Sequence, residues 1–350
     1  MKIVHVAVAI AMLLASACLA PAQELGANRA AFFEMAKRYE VKATDEPPVW
    51  ALRRDRPLFR LAWLSDLHID SQERLEYHRR LLAQIRQDVH PTAVLVTGDN
   101  IGLGNNPVQR LNVLKSLLST TLGEDIPSIV LPGDNWPQGY DQVFGSTKFA
   151  FTLGGVRFIC ASQDAAGRTN GCSIYSPETL AWLNRQFATA GNRPVVFVQH
   201  EPIEPPSTLD APKVASLMDR TPQAFLALGG HFHLNLEFKH GHWRQWVAPS
   251  TGHSHRPAFK ELRFYSDCVI SQDWEEGVDG TYRPVNKFLR ADIPEECREN
   301  LLVVRRFSME EPSLMPPRPF VSDPGLDARA EELTSRLMRF ALQYGLKKGI

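Results

Sequence analysis

The sequence lacks the anchors of several common enzyme classes. It holds no G-x-x-x-x-G-K-S/T loop, no G-x-S-x-G elbow and no H-E-x-x-H helix, so P-loop, hydrolase-triad and zincin readings have no anchor. It has only 5 cysteines and no C-x-x-C pair, so a cysteine zinc site or dithiol redox motif has no basis. Neither sign of charge is in excess: 39 Lys+Arg stand against 39 Asp+Glu, leaving no whole-chain field for nucleic acid or an anionic membrane. Internal repeats and low-complexity tracts are missing, and so is an apolar run of the roughly 20 residues that a membrane-spanning helix needs. What is present is 44% apolar residues in 350 positions, enough for one large domain or two small ones. The 25 Pro and 22 Gly suit a loop-rich, enzyme-like domain more than a helical bundle.

Residues 1–22 have the pattern of a signal peptide. Met1-Lys2-Ile3 is a short basic start, Val4 to Ala17 is apolar but for His5 and Ser16, and Ala20-Pro21-Ala22 is a small-residue cleavage pattern. Export to the periplasm or the medium is expected, with a mature start at Gln23. Two other readings stay open: an uncleaved anchor, for which the run is short, and a lipobox-like Ala15-Ser16-Ala17-Cys18, which would make Cys18 a lipid-anchored N-terminus. Without the leader, Cys160, Cys172, Cys268 and Cys297 remain. Joining Cys160 to Cys172 and Cys268 to Cys297 closes the shortest loops, and buried free thiols are the alternative.

Residues 23–54 are expected to form an N-terminal extension with a short helix over 28–39, stopped by Asp45-Glu46-Pro47-Pro48. Residues 55–309 would be the main domain, and 310–350 a Pro-rich connector with an amphipathic helix over 327–346. Inside the domain, strand patterns at 58–64, 92–97 and 128–131 alternate with helical patterns at 71–89 and 107–122, the signature of an α/β sheet. A hairpin is expected at 148–159 across Gly154-Gly155, a helix opening at Ser176-Pro177, and strands at 194–198, 224–228, 234–238 and 243–247.

Five segments put a metal-binding side chain directly after an apolar strand, where open α/β sheets gather their sites. They are Ser65-Asp66-Leu67-His68, Gly98-Asp99-Asn100, Gly133-Asp134-Asn135, Gln199-His200 and Gly230-His231-Phe232-His233. Singly, an Asp after a strand is more often a turn or cap, and a lone His a hydrogen-bonded core residue. As an ordered set they resemble the calcineurin-like metallophosphoesterases, whose blocks run D-x-H, GD, GN-H-(D/E), H and GH-x-H. The resemblance spans about residues 58–255.

That resemblance implies a four-layer α/β/β/α sandwich holding two divalent or trivalent metal ions, Mn, Fe or Zn. It implies hydrolysis of a phosphate mono- or diester, a small-molecule or nucleotide-like substrate, by a metal-bridging hydroxide. Stable nucleic-acid binding is not expected, and the oligomeric state stays open. By the same resemblance Asp66, His68 and His233 would complete one ion, His200, His231 and Asp134 the other, and Asp99 would bridge them. Carboxylates with neutral imidazoles are what two closely spaced, mutually repelling cations require.

The third block departs from the family, with Asp134, Asn135 and Trp136 where Asn, His and an acid stand. Asp134 can supply a hard oxygen ligand in place of an amide oxygen. Asn135, at the catalytic position, can donate a hydrogen bond but cannot deliver a proton, a contribution typically worth about 10²–10⁴ in rate. Six of the eleven histidines fall between His231 and His255. Of these, His253 and His255 are candidate catalytic replacements, with His240 and His242 on an expected hairpin. Trp136 is a candidate to stack on a substrate base or aryl group, a packed aromatic being the alternative. The reading from another class is a metal-retaining binding or scaffold protein whose turnover was lost with the change to Asn135.

Overall fold

The computed structural model describes residues 30–102, 105–135, 138–164, 174–204, 207–252, 256–301 and 308–309, with 332–333, 335–336, 338–339 and 343. The expected leader at 1–22 with Cys18, together with Cys172, Trp136, His253, His255 and most of 310–350, lies outside the described residues. The described positions between 332 and 343 are helical, and so are 30–36, which run into a 3-10 turn at Lys37–Tyr39.

Strands buried on both faces read as continuous apolar runs, and here they build two sheets. One has six strands in the order β12-β11-β10-β1-β2-β3, with β1 at Phe59–Leu64, β2 at Ala93–Thr97, β3 at Ser128–Leu131, β10 at Ala258–Phe264, β11 at Cys268–Glu276 and β12 at Tyr282–Asp292. The other has seven in the order β13-β4-β5-β6-β7-β9-β8: β4 Lys148–Leu153, β5 Val156–Ala161, β6 Val195–Val198, β7 Ala224–Gly229, β8 Leu236–Lys239, β9 Arg244–Val247 and β13 Ser308–Met309. β1, β2 and β3 are parallel, as are β5, β6, β7 and β9.

Strand alternation sorts the side chains into layers. Leu61 and Trp63 of β1 face the other sheet and meet Phe151, Phe158, Val196 and Val198 in the central core. Ala62 and Leu64 face outward, under Leu75 and Leu82 of the helix Gln72–Gln84 and Leu111, Leu114 and Leu118 of the helix Pro107–Leu122. On the opposite outer face Ile159 and Phe197 are covered by Trp182, Leu183 and Phe187 of the helix Pro177–Ala188 and by Val214 and Met218 of the helix Ala211–Asp219. The result is the helix, sheet, sheet, helix sandwich. Helix starts follow local chemistry: the hydroxyls of Ser71 and Ser176 accept from the backbone N–H of Arg74 and Thr179, and Pro107 and Pro177 occupy the first turn.

Of the alternatives left open for the cysteines, the Cys268 to Cys297 pairing is not formed: both are buried free thiols, as is Cys160, whose suggested partner Cys172 lies outside the described residues. The geometry explains why Cys268 and Cys297 stay apart. Val269 and Cys297 belong to the core between the sheets, whereas Cys268, one residue earlier on β11, points to the other face beside Tyr265 and Ile270. The antiparallel ladder β10-β11-β12 and the helix Ala211–Asp219 are structure that the apolar pattern did not announce.

Candidate metal centre

The parallel strands of both sheets end at one edge of the sandwich, and the loops leaving them carry the chemistry. Asp66 and His68 follow β1, Asp99 follows β2, Asp134 and Asn135 follow β3, His200 follows β6, and His231 and His233 follow β7. Five of these residues hold left-handed backbone: Asp66 (φ 54), His68 (φ 43), Asp99 (φ 48), His231 (φ 69) and His233 (φ 56). Such conformations cost free energy in non-glycine residues and gather at functional sites. They persist because the loops are tied together: the N–H groups of Asp66 and His68 donate to the carbonyls of Gly98 and Asp99 at 3.1 and 2.9 Å, and that of His231 donates to Asp66 Oδ2 at 3.1 Å. Ser250 Oγ donates to the Asp66 carbonyl at 2.9 Å. Gly230 leaves the room this needs, since a Cβ there would strike Ser65 Oγ and the Asp66 carboxylate.

Seven side chains converge in three overlapping sets whose ligand atoms lie within 4.8 Å of one another: Asp66, His68 and His233; Asp134, His200 and His231; Asp66, Asp99 and His200. In the first, His233 Nε2 is 3.2 Å from both Asp66 Oδ1 and His68 Nε2. In the second, Asp134 Oδ1 is 3.2 Å from His231 Nδ1 and 3.3 Å from His200 Nε2. Asp99 lies between, 3.5 Å from His200 Nε2 through Oδ1 and 3.7 Å from His68 Nε2 through Oδ2. His200 is oriented by its other nitrogen, Nδ1, 2.6 Å from the Thr97 carbonyl. Asn135 directs its backbone N–H and its side-chain Nδ2 at the two Asp99 oxygens, at 3.0 and 2.6 Å.

Electrostatically the cluster is arranged for cations. Burial pushes Asp66 up, but His233, His200 and His68 outweigh it and hold the carboxyl below the usual range. Burial likewise opposes ionisation of Asp134, and His231 and His200 overcome it. Asp99 is pushed up by burial and by the charge of Asp134. His200 is raised despite its burial because Asp99, Asp66 and Asp134 surround it. Two atoms decide whether metal ions fit: among the described residues, Asp66 Oδ1 and His200 Nε2 are sealed from solvent with no hydrogen bond, and their near neighbours are only the other members of the cluster, His233 Nε2 at 3.2 Å and Asp134 Oδ1 at 3.3 Å. A buried polar atom left unmatched costs about 1–3 kcal/mol, and a metal ion is the ligand that a carboxylate oxygen and an imidazole nitrogen would share. The donor set fits.

The cluster forms the floor of a cavity of about 730 Å³ with Asn135 on its lining. Phe33 and Phe232 add aromatic wall, and Asn235, Arg256 and Asp273 add polar wall. His240 and His242 are occupied elsewhere: His240 stacks on Trp243 at 3.9 Å and contacts Glu204 at 2.6 Å, and His242 Nε2 lies 3.2 Å from the Thr221 carbonyl. Trp136, His253 and His255 fall outside the described residues. Sequence reasoning missed Asn235, Lys260 and Asp273, for which no local pattern gave a signal.

Residues 59–235, about half the chain, match the model of the calcineurin-like phosphoesterase family, and the chain belongs to that family. It is accordingly a phosphoric ester hydrolase of a class that uses two metal ions, and the convergent ligand groups suit that class. The solved structure of a dimetal phosphatase from Danio rerio is similar in fold at a TM-score of 0.55 and 13% identity, covering 68% of this chain and 100% of that one. A purple acid phosphatase from yellow lupin (Lupinus luteus) seeds aligns at a TM-score of 0.47 and 12% identity, covering 66% of this chain and 53% of that one. No curated protein matches the sequence.

Proposed function

We propose that this chain is an exported hydrolase of phosphate mono- or diesters in which Asp66, His68 and His233 hold one metal ion, Asp134, His200 and His231 hold the second, and Asp99 joins the two. The observation that carries the reading is that, among the described residues, the buried atoms Asp66 Oδ1 and His200 Nε2 make no hydrogen bond inside the converging sets. When bound, the ions would supply Lewis acidity toward phosphoryl oxygens and lower the pKa of water. The chain's own residues do the rest. Thr97 fixes the His200 ring through its carbonyl, and Asn135 holds the Asp99 carboxylate by two hydrogen bonds. Lying on the cavity surface, Asn135 can also present an N–H to a bound phosphate, but an amide has no proton to give a leaving oxygen. Substrates with good leaving groups therefore suit this site, unless His253 or His255 supplies the proton. Export is supported by the basic start, apolar run and Ala20-Pro21-Ala22 pattern of the leader; the mass of the exported product distinguishes a start at Gln23 from a lipidated Cys18.

The test is metal analysis with assays of aryl and alkyl phosphate mono- and diesters on Mn-, Zn- or Fe-loaded protein. Two bound equivalents and aryl ester turnover that is lost in Asp99→Asn are expected. Turnover surviving Asp99→Asn contradicts the two-metal reading. A fully metallated wild type inactive on every leaving group supports instead the binding or scaffold protein. Slower alkyl than aryl hydrolysis after His253→Ala or His255→Ala, relative to wild type, would identify the missing acid.

A further inference from the structure

Lys260 and Asp273 stand directly opposite each other on β10 and β11, both at zero exposure, and form an ion pair of 2.6 Å. A buried pair of this kind is a poor source of stability, because the cost of desolvating two charges offsets their attraction and apolar residues of similar volume are often no less stable. Its place in the fold suggests another reason. Lys260 Nζ also donates to Asn235 Oδ1 at 2.8 Å, and Asn235 Nδ2 donates to Asp273 Oδ2. Asn235 is itself buried and lies two residues beyond His233, on the loop leading to β8 of the other sheet. Its backbone is tied as well: its carbonyl accepts from the Val41 N–H at 2.9 Å, and its N–H donates to Glu40 Oε1 at 3.4 Å.

The triangle is closed and directional. Lys260 only donates, Asp273 only accepts, and Asn235 accepts from one and donates to the other. It joins the ladder of the first sheet to the loop that brings His231 and His233 from the second, and Asn235 and Asp273 reach the cavity wall beside those ligands. We propose that Asn235, Lys260 and Asp273 are positioning residues that hold the His231 to His233 loop in its metal-binding geometry. The inference rests on the metal-centre reading above. Outer partners of metal ligands are typically worth about 10–100-fold in affinity.

The donor pattern supplies its own control. Asn235→Asp removes the donor facing Asp273 and sets two carboxylates against each other; Asp273→Asn removes an acceptor and sets two amides against each other. The swap Asn235→Asp with Asp273→Asn restores all three hydrogen bonds with the net charge unchanged. Dissociation constants of Mn²⁺ and Zn²⁺, measured by chelator competition, and thermal melting of the metal-free proteins are read for wild type, both single variants and the swap. Each single variant is expected to weaken at least one metal equivalent by about 10–100-fold, and the swap to return it to within about twofold of wild type. Single variants with wild-type metal affinity, or a swap no better than the singles, overturn the proposal. If a single variant does not fold, Asn235→Ala, which leaves the Lys260 to Asp273 pair intact, is read in its place, and unchanged affinity there likewise overturns it. A wild type that binds no metal would instead contradict the metal-centre reading itself, so the two failures are distinct.

Discussion

Gly133 shows how little room the cluster leaves around its candidate ligands. A Cβ at this position would strike the Asp99 carboxylate and come within 2.6 Å of the Asp99 nitrogen and 2.7 Å of His200 Cδ2. Its φ is not in the left-handed region, so the constraint is packing and not backbone strain. Gly133→Ala should therefore leave the backbone conformation allowed but push Asp99 and His200 apart. Misplacing a reactive geometry by about 1 Å can cost about 10²-fold in rate, and overpacking costs about 1–3 kcal/mol in stability. Turnover of an aryl phosphate and metal content measured together would check this; wild-type values for both would show that the site has slack the packing does not reveal. At this scale the convergence of the seven side chains was legible because their residue types are rare together and each follows an apolar run. The role of Asn135 was less legible. Its change from His reads as a lost proton donor, whereas its contacts to both Asp99 oxygens depend on a loop conformation that no spacing encodes.

Elements whose apolar period is uninterrupted were legible nearly to the residue, as in the helix Pro107–Leu122 and the strand Ser128–Leu131. The strands β10 and β11 were not, because Lys260, Glu261, Arg263, Asp273 and Glu275 break the pattern, and the matching of Lys260 to Asp273 exists only after the strands pair. The helix Gln72–Gln84 carries a testable case of its own. His78, on its buried face, has Nδ1 2.7 Å from the Arg74 carbonyl, which places the proton on Nδ1 and leaves Nε2 buried with no hydrogen bond among the described residues. Burial pushes its pKa from 6.5 down to about 4. The folded state thus binds a proton less readily than the unfolded state. The stability this contributes is complete above about pH 6.5 and is lost as pH falls from there toward 4, by up to about 3 kcal/mol. His78→Gln keeps a donor for the Arg74 carbonyl and removes the titration, so its melting temperature should fall less steeply across that interval than that of wild type. Parallel profiles would show that His78 does not set the acid limit.

For the molecule as a whole, the seven candidate ligands come from both sheets: Asp66, His68, Asp99 and Asp134 from loops after β1 to β3, and His200, His231 and His233 from loops after β6 and β7. Bound ions would cross-link the two halves of the sandwich at one edge, while the apolar core between the sheets holds the remainder. Formal neutrality over the chain conceals this local concentration of three carboxylates, two of them held ionised by surrounding imidazoles. Because the ligand geometry exists only in the folded chain, metal binding must stabilise the fold by an amount set by concentration over Kd, about 2.7 kcal/mol per site at a hundredfold excess over Kd. Melting temperature should accordingly rise with added Mn²⁺ or Zn²⁺, fall on dialysis against EDTA, and recover on readdition. In Asp99→Asn the metal-dependent part should shrink, because the carboxylate that joins the two ligand sets has gone. Melting that ignores both metal and chelator in the wild type would mean that Asp66 Oδ1 and His200 Nε2, which make no hydrogen bond among the described residues, are tolerated without an ion, and the metal assignment would fall with it.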